Sequence, residues 1–161
     1  MDVSRKIRVE RNRLRFAAAH FATFAGTCER LHGHNYDLMV EVEGELTPDS
    51  WVWDFGEVKR ATRELADHLD HKFLLPRENP HLEIVESSES WSVAFKGKRY
   101  QFPKEDVAVL PIDNSTAERI AEWIAGGLVR YFQGAGGSSI TKLSVGVEEM
   151  PGQSGWYTLQ M

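Results

Sequence analysis

Three histidines in this chain have the spacing of a metal site. His32 and His34 flank a glycine in Cys28-Glu29-Arg30-Leu31-His32-Gly33-His34, and His20 lies a short way upstream. Strand side chains alternate between faces, so His32 and His34 point the same way if they open a strand. The residues that follow do alternate: Tyr36, Leu38, Val40 and Val42 share one parity, while Asp37, Glu41 and Glu43 share the other. His20 closes a similar run, with Leu14, Phe16 and Ala18 on its own parity. If these strands are neighbours, three imidazoles converge at the end of one apolar face. Three neutral nitrogen donors with a fourth position free form the donor set of a catalytic zinc site. Any one of these histidines, taken singly, reads as a hydrogen-bonded core residue; the shared parity of all three favours the metal. Cys28 and Glu29 add a thiol and a carboxylate to the connecting loop. A further carboxylate, Glu149, continues the odd parity of Leu143, Val145 and Val147 onto a buried face, where a charge needs partners. Glu148 has the opposite parity and reads as solvent-facing.

The elements that must position these groups follow in order. Residues 5–20 form a strand whose parity changes near Asn12, since Ile7 and Val9 are odd but Leu14 and Phe16 are even; a bulge reconciles the halves. Residues 21–33 form a loop, and 34–46 a second strand. Asp54 caps a helix carrying Phe55, Val58, Thr62, Leu65 and Leu69 at helical spacing, and that helix is expected to run on through Asp70-His71-Lys72 and stop before Pro76. Residues 82–110 contain strand-like pieces, with a hairpin turning at Gly97. Ser115-Thr116-Ala117-Glu118 matches a capping box opening a second helix, which Gly134 to Gly137 end. Two further strands follow, at Leu143–Val147 and Trp156–Leu159. The pattern predicts one α+β domain over 1–161, a four-stranded antiparallel sheet with two helices on one face. Its open edges favour pairing with other copies, hence a homo-oligomer.

A chain of 161 residues can bury one sizeable core. The net charge of −5 supplies no attraction to nucleic acid or to an anionic membrane surface. A single cysteine permits no intrachain disulfide, the N-terminal stretch lacks the apolar segment of a signal peptide, and no run reaches membrane-spanning length. The expected compartment is the cytoplasm.

His20, Cys28, His32-Gly33-His34, Asp70-His71, Ser115-Thr116-Ala117-Glu118 and Glu149 occur in the order found in the 6-pyruvoyl-tetrahydropterin synthase family. The chain resembles its bacterial branch, the 6-carboxy-tetrahydropterin synthases of queuosine biosynthesis, over nearly its whole length apart from about 78–110. The resemblance implies a tunnelling fold in which three subunits close a β-barrel, usually stacked as a hexamer, with active sites between subunits. It implies zinc held by His20, His32 and His34, acting as a Lewis acid on the side-chain hydroxyls of 7,8-dihydroneopterin triphosphate, with 6-carboxy-5,6,7,8-tetrahydropterin as the expected product and 6-hydroxymethyl-dihydropterin as the alternative. It implies that Cys28 is catalytic, that Asp70 orients His71 for proton transfer, and that Glu149, Thr116 and Glu118 hold the pterin. A pterin's adjacent ring N–H and amino group suit a single carboxylate accepting two parallel bonds, which Glu149 could supply. For Asp70-His71 the other reading is helix-end electrostatics, and for Glu118 a capping role.

Two departures from that pattern stand out. Some relatives carry a glutamate where others have the cysteine, and cleave the dihydroneopterin side chain to 6-hydroxymethyl-dihydropterin for folate synthesis. A subgroup with both residues, Cys-Glu-x-x-His-Gly-His, resembles this chain and implies both reactions, making Glu29 a second catalytic candidate; as a residue type it reads equally as a solvated loop charge. The other departure is the insert at about 78–110, far longer than the connection in compact relatives.

Overall fold

The computed structural model describes residues 3–161, the side chain of Asn12 excepted; the first two residues of the polar N-terminal stretch lie outside the described residues. The chain begins with β1 (Arg5–His20), followed by a small ribbon of β2 (Thr23–Phe24) and β3 (Thr27–Cys28), and then by β4 (His32–Gly44). Next come α1 (Phe55–Leu69), β5 (Lys72–Pro76), β6 (Glu83–Glu86), β7 (Ser90–Phe95), β8 (Lys98–Pro103) and β9 (Val107–Leu110). The chain finishes with α2 (Ala117–Gly134), β10 (Ile140–Met150) and β11 (Gln153–Gln160).

The expected antiparallel sheet is present as β11-β10-β4-β1. The alternation read from the sequence is its cause: Leu14, Phe16, Tyr36, Leu38, Val40, Val42, Leu143, Val145 and Val147 all turn to one face and are buried. Against that face lie the apolar stripes of the helices, including Val58, Ala61 and Leu69 from α1 and Ile120, Ile124, Leu128 and Phe132 from α2. The parity switch in β1 is real. Between the pairs Glu10↔Met39 and Arg15↔Asp37, β1 spends three more residues than β4, an odd number that exchanges the two faces. Arg11 and Arg13, at φ 59° and 70°, carry the irregularity.

Two expectations need correction. The sheet has six strands, because β5 and β9 extend it in parallel beyond β1. The second follows from the first: α1 does not continue to Pro76 but stops at Leu69. Asp70 has extended backbone, His71 turns left-handed at φ 58°, and β5 then runs beside β1. Ala17 pins this turn from both sides, its N–H donating to Asp70 Oδ1 at 2.7 Å and its carbonyl accepting from His71 N at 2.6 Å. Phe73, Leu74 and Leu75 form an unbroken apolar run, the pattern of a strand buried on both faces rather than of an amphipathic helix.

The insert carries a sheet of its own. Strands β6, β7 and β8 make a separate antiparallel sheet, with β7 and β8 turning at Gly97 as expected. Its inner face closes a second core of Phe21, Phe73, Leu75, Leu82, Trp91, Val93 and Val107. Residues 107–110 of the expected insert belong to the main sheet as β9.

Candidate metal centre and active site

The end of the β1/β4 ladder builds the site. His20 is paired with His32, and Ala18 with His34, so the three rings meet where the two strands finish. Their centroids lie 4.7, 5.1 and 4.8 Å apart, and one ring nitrogen from each falls within 4.8 Å of the others. Gly33 permits this packing: a Cβ there would stand 3.1 Å from the Ala18 carbonyl oxygen.

Backbone carbonyls fix the tautomers. His20 Nδ1 lies 2.8 Å from the Ser115 carbonyl oxygen, and His32 Nδ1 lies 2.7 Å from that of Arg30. Carbonyls only accept, so both Nδ1 atoms carry a proton and Nε2 is the nitrogen each ring has to offer a metal. Those two Nε2 atoms face one another at 3.1 Å. Burial holds His20 neutral, with its pKa down at about 4 despite the opposing bond to Ser115. Imidazoles whose nitrogens crowd a common point fit a soft-to-borderline cation such as Zn²⁺, and the carbonyls behind His20 and His32 are the orienting partners that metal-bound histidines use.

The histidines open into a cavity of about 590 Å³ that also takes in Glu29, Thr116, Glu118 and Glu149. Glu149 stands at the bulged end of β10, with Oε1 4.0 Å from His20 Nε2. Burial pushes its pKa up, and the charges of Glu29 and Glu118 push the same way, against the pull of His34 and His32. A half-buried carboxylate so surrounded binds best to a ligand that offers N–H donors. Its neighbour Glu148 bonds the Gly152 N–H at the β10–β11 turn and stays outside the cavity.

Glu29 enters the cavity on a closed loop. Its N–H donates to the Ala22 carbonyl at 3.0 Å, and its Oε2 accepts from the Ala22 N–H at 2.9 Å. Cys28, one residue earlier, turns away to pack on the second core, and burial raises its pKa although Lys98 works against this. The structure therefore separates the two candidates that the sequence placed side by side.

Asp70 and His71 are bonded as expected, Oδ2 to Nδ1 at 2.8 Å, but they do not line this cavity. His71 borders a second depression, lined also by His34, Ala17, Gly33 and Lys72, where its side chain is 82% exposed. Burial opposes ionisation of Asp70, but the bonds from Ala17 N–H and His71 win and hold its pKa below the usual value. The capping box shifts by one residue. Thr116, not Ser115, caps α2, through a 3.4 Å bond from Arg119 N–H, and Glu118 falls too early in the helix to close the box and faces the cavity instead. Ser115 is buried, its hydroxyl bonded to the Phe21 carbonyl and 3.2 Å from His20 Nδ1.

Ser115 and Tyr36 are site residues that the sequence reading missed. Tyr36 lies against the histidine cluster, edge-on to His20 and His34 and stacked on Phe16, with its hydroxyl buried and unbonded. Its parity with the histidines was the available signal.

The profile of the family described as 6-pyruvoyl tetrahydropterin synthase matches residues 9–160. A Methanocaldococcus jannaschii protein, provisionally named a 6-carboxy-5,6,7,8-tetrahydropterin synthase, is 34% identical over 145 residues, 89% of each chain. A dihydroneopterin monophosphate aldolase of Pyrococcus furiosus is 38% identical over 74 residues, 45% of this chain and 63% of that one. The crystal structure of 6-pyruvoyl tetrahydropterin synthase from Plasmodium vivax superposes with a TM-score of 0.92 at 31% identity, covering 99% of this chain and 100% of that one. A further structure of the Plasmodium vivax protein carries alanine in place of a glutamate described as a catalytic residue. Profile, sequence and fold all agree over nearly the full length, and the chain belongs to the 6-pyruvoyl tetrahydropterin synthase family, with its tunnelling fold.

Proposed function

We propose that this protein is a zinc-dependent lyase acting on the side chain of 7,8-dihydroneopterin triphosphate. His20, His32 and His34 would hold the ion, which when bound supplies Lewis-acid polarisation of a side-chain oxygen. Glu149 anchors the pterin through its paired N–H donors, with Thr116 and Glu118 at the cavity wall. Glu29 is the group placed to take a proton from the substrate. The observation that carries this reading is its position: of the adjacent thiol and carboxylate, it is Glu29 that lines the cavity with the histidines.

That placement favours carbon–carbon cleavage. Glu29 accepts the proton of the second side-chain hydroxyl as the bond between the first and second side-chain carbons breaks. A proton returned to the first carbon leaves 6-hydroxymethyl-dihydropterin, and the phosphates depart on the two-carbon aldehyde. The catalytic-residue glutamate of the Plasmodium vivax protein supports the same role for Glu29. The second reading, formation of 6-carboxy-tetrahydropterin with Cys28 as the reacting group, is favoured by the name of the Methanocaldococcus jannaschii relative.

Asp70 and His71 serve as a proton relay in either reading. Their exposure outside this cavity suits delivery into a neighbouring subunit's site, in a trimer or hexamer. Among the described residues no helix is long and apolar enough to cross a membrane. The test is incubation of the zinc-loaded protein with 7,8-dihydroneopterin triphosphate and mass spectrometry of the products. 6-Hydroxymethyl-dihydropterin supports the first reading and 6-carboxy-tetrahydropterin with acetaldehyde the second; unchanged substrate refutes both.

A further inference from the structure

The insert touches the catalytic loop at several points, and all of them bear on which residue faces the cavity. The ribbon of β2 and β3 turns at Ala25 and Gly26, both left-handed at φ 48° and 73°, a tight hairpin of fixed register. Glu29 follows β3 directly and continues its pairing through the N–H bonded to the Ala22 carbonyl, so Cys28 and Glu29 point to opposite sides and only one of the pair can enter the cavity at a time. A slip of one residue would exchange them.

The insert holds the observed register. Cys28 packs against the second core, as do Tyr100 and Phe102 of β8. Phe21, at the foot of the ribbon, lies 5.1 Å from the Tyr100 ring and 5.2 Å from that of Phe73. Lys96, at the tip of the β7–β8 hairpin, donates to the Gly26 carbonyl at the ribbon's turn, 2.7 Å away. Asn79, which leads into the insert, donates from its buried side chain to Thr23 Oγ1 at 2.9 Å.

We propose that the insert is a specificity device: its aromatic face seats the Thr23–Cys28 ribbon so that Cys28 is kept out of the cavity and Glu29 alone of the pair meets the substrate. This rests on the reading of Glu29 as the proton acceptor. Tyr100 and Lys96 are positioning residues, acting on the reaction only through the ribbon.

The test compares wild type with Tyr100→Ala and with Lys96→Met, the latter a surface change that leaves the second core intact. Two quantities are read on the zinc-loaded protein: the rate at which iodoacetamide alkylates Cys28, and the ratio of 6-hydroxymethyl-dihydropterin to 6-carboxy-tetrahydropterin. Loss of the Tyr100 ring contact should speed alkylation about three- to tenfold, with Lys96→Met giving a smaller rise, and in both the product ratio should fall. Alkylation no faster than wild type in both variants overturns the inference, whatever the enzyme makes. Faster alkylation with an unchanged product ratio overturns the specificity role. If Glu29→Gln leaves wild-type turnover untouched, it is the reading of Glu29 as proton acceptor that fails, and the alkylation rates still decide whether the insert seats the ribbon.

Discussion

Replacing Glu29 by glutamine separates chemistry from structure unusually well. Glu29 is tied to Ala22 twice, by its own N–H to the carbonyl at 3.0 Å and by its Oε2 to the N–H at 2.9 Å. Glutamine keeps the backbone bond and retains an oxygen that can accept the other, so what is lost is the charge and the basicity. A bond to a charged acceptor is worth about 1.5–3 kcal/mol and a neutral one about 1. The loop should therefore lose only about 1 kcal/mol. Removing a positioned general base costs about 10²–10⁴ in rate, or about 3–5 kcal/mol on the barrier. The catalytic effect should exceed the structural one several-fold. Removing the Glu29 charge also relieves Glu149, whose pKa that charge helps to raise, so pterin binding should not weaken. The assay is steady-state formation of 6-hydroxymethyl-dihydropterin by mass spectrometry, with thermal unfolding in parallel. The expected result is a fall in kcat of about 10²–10⁴ with KM and Tm nearly unchanged. Cys28→Ala should spare this product and abolish 6-carboxy-tetrahydropterin. Wild-type kcat in Glu29→Gln, or equal loss of both products in each variant, would refute the assignment.

Other outcomes follow from the same geometry. His20→Ala should leave two nitrogen donors and abolish stoichiometric zinc, read by elemental analysis of the purified protein; chelation of wild type should silence it and added zinc restore it. Gly33→Ala presses a methyl onto the Ala18 carbonyl 3.1 Å away, which should weaken zinc binding more than it lowers Tm, since the strain falls between His32 and His34. Leu128→Ala empties part of the fully buried face of α2 and should cost about 2–5 kcal/mol in denaturant unfolding, without altering zinc content. Asp70 has a folded-state pKa below its unfolded value, so it contributes stability above the unfolded pKa of about 4 that is lost as pH falls through the folded value. The Tm of Asp70→Asn should accordingly fall less than that of wild type between pH 5 and pH 2, and parallel acid limbs would contradict the account.

Much of this molecule is legible in the order of its residues, because much of it is local. Strand alternation has a period of two, so the burial of Leu38, Val40 and Val42 and the shared face of His32 and His34 need no tertiary information. The convergence of His20 on them needed one further assumption, that β1 and β4 are neighbours, and the odd-numbered irregularity near Asn12 follows from parity alone. The helix stripes and the Asp54 cap were legible for the same reason.

What the sequence could not decide was set by contacts between distant segments. The end of α1 lies at Leu69 because the edge of β1, through Ala17, offers the chain better hydrogen bonds than another helical turn. The cap of α2 moved to Thr116 because the Ser115 hydroxyl is engaged with Phe21 and its carbonyl with His20. Asp70 and His71 stay out of the cavity, and His71 borders a separate depression, a consequence of the same turn. The sidedness of Cys28 and Glu29 is the sharpest case. Adjacent residues of an extended chain face apart, but which of them faces the histidine cluster depends on the insert packed beneath the ribbon, a sheet some seventy residues farther along the chain.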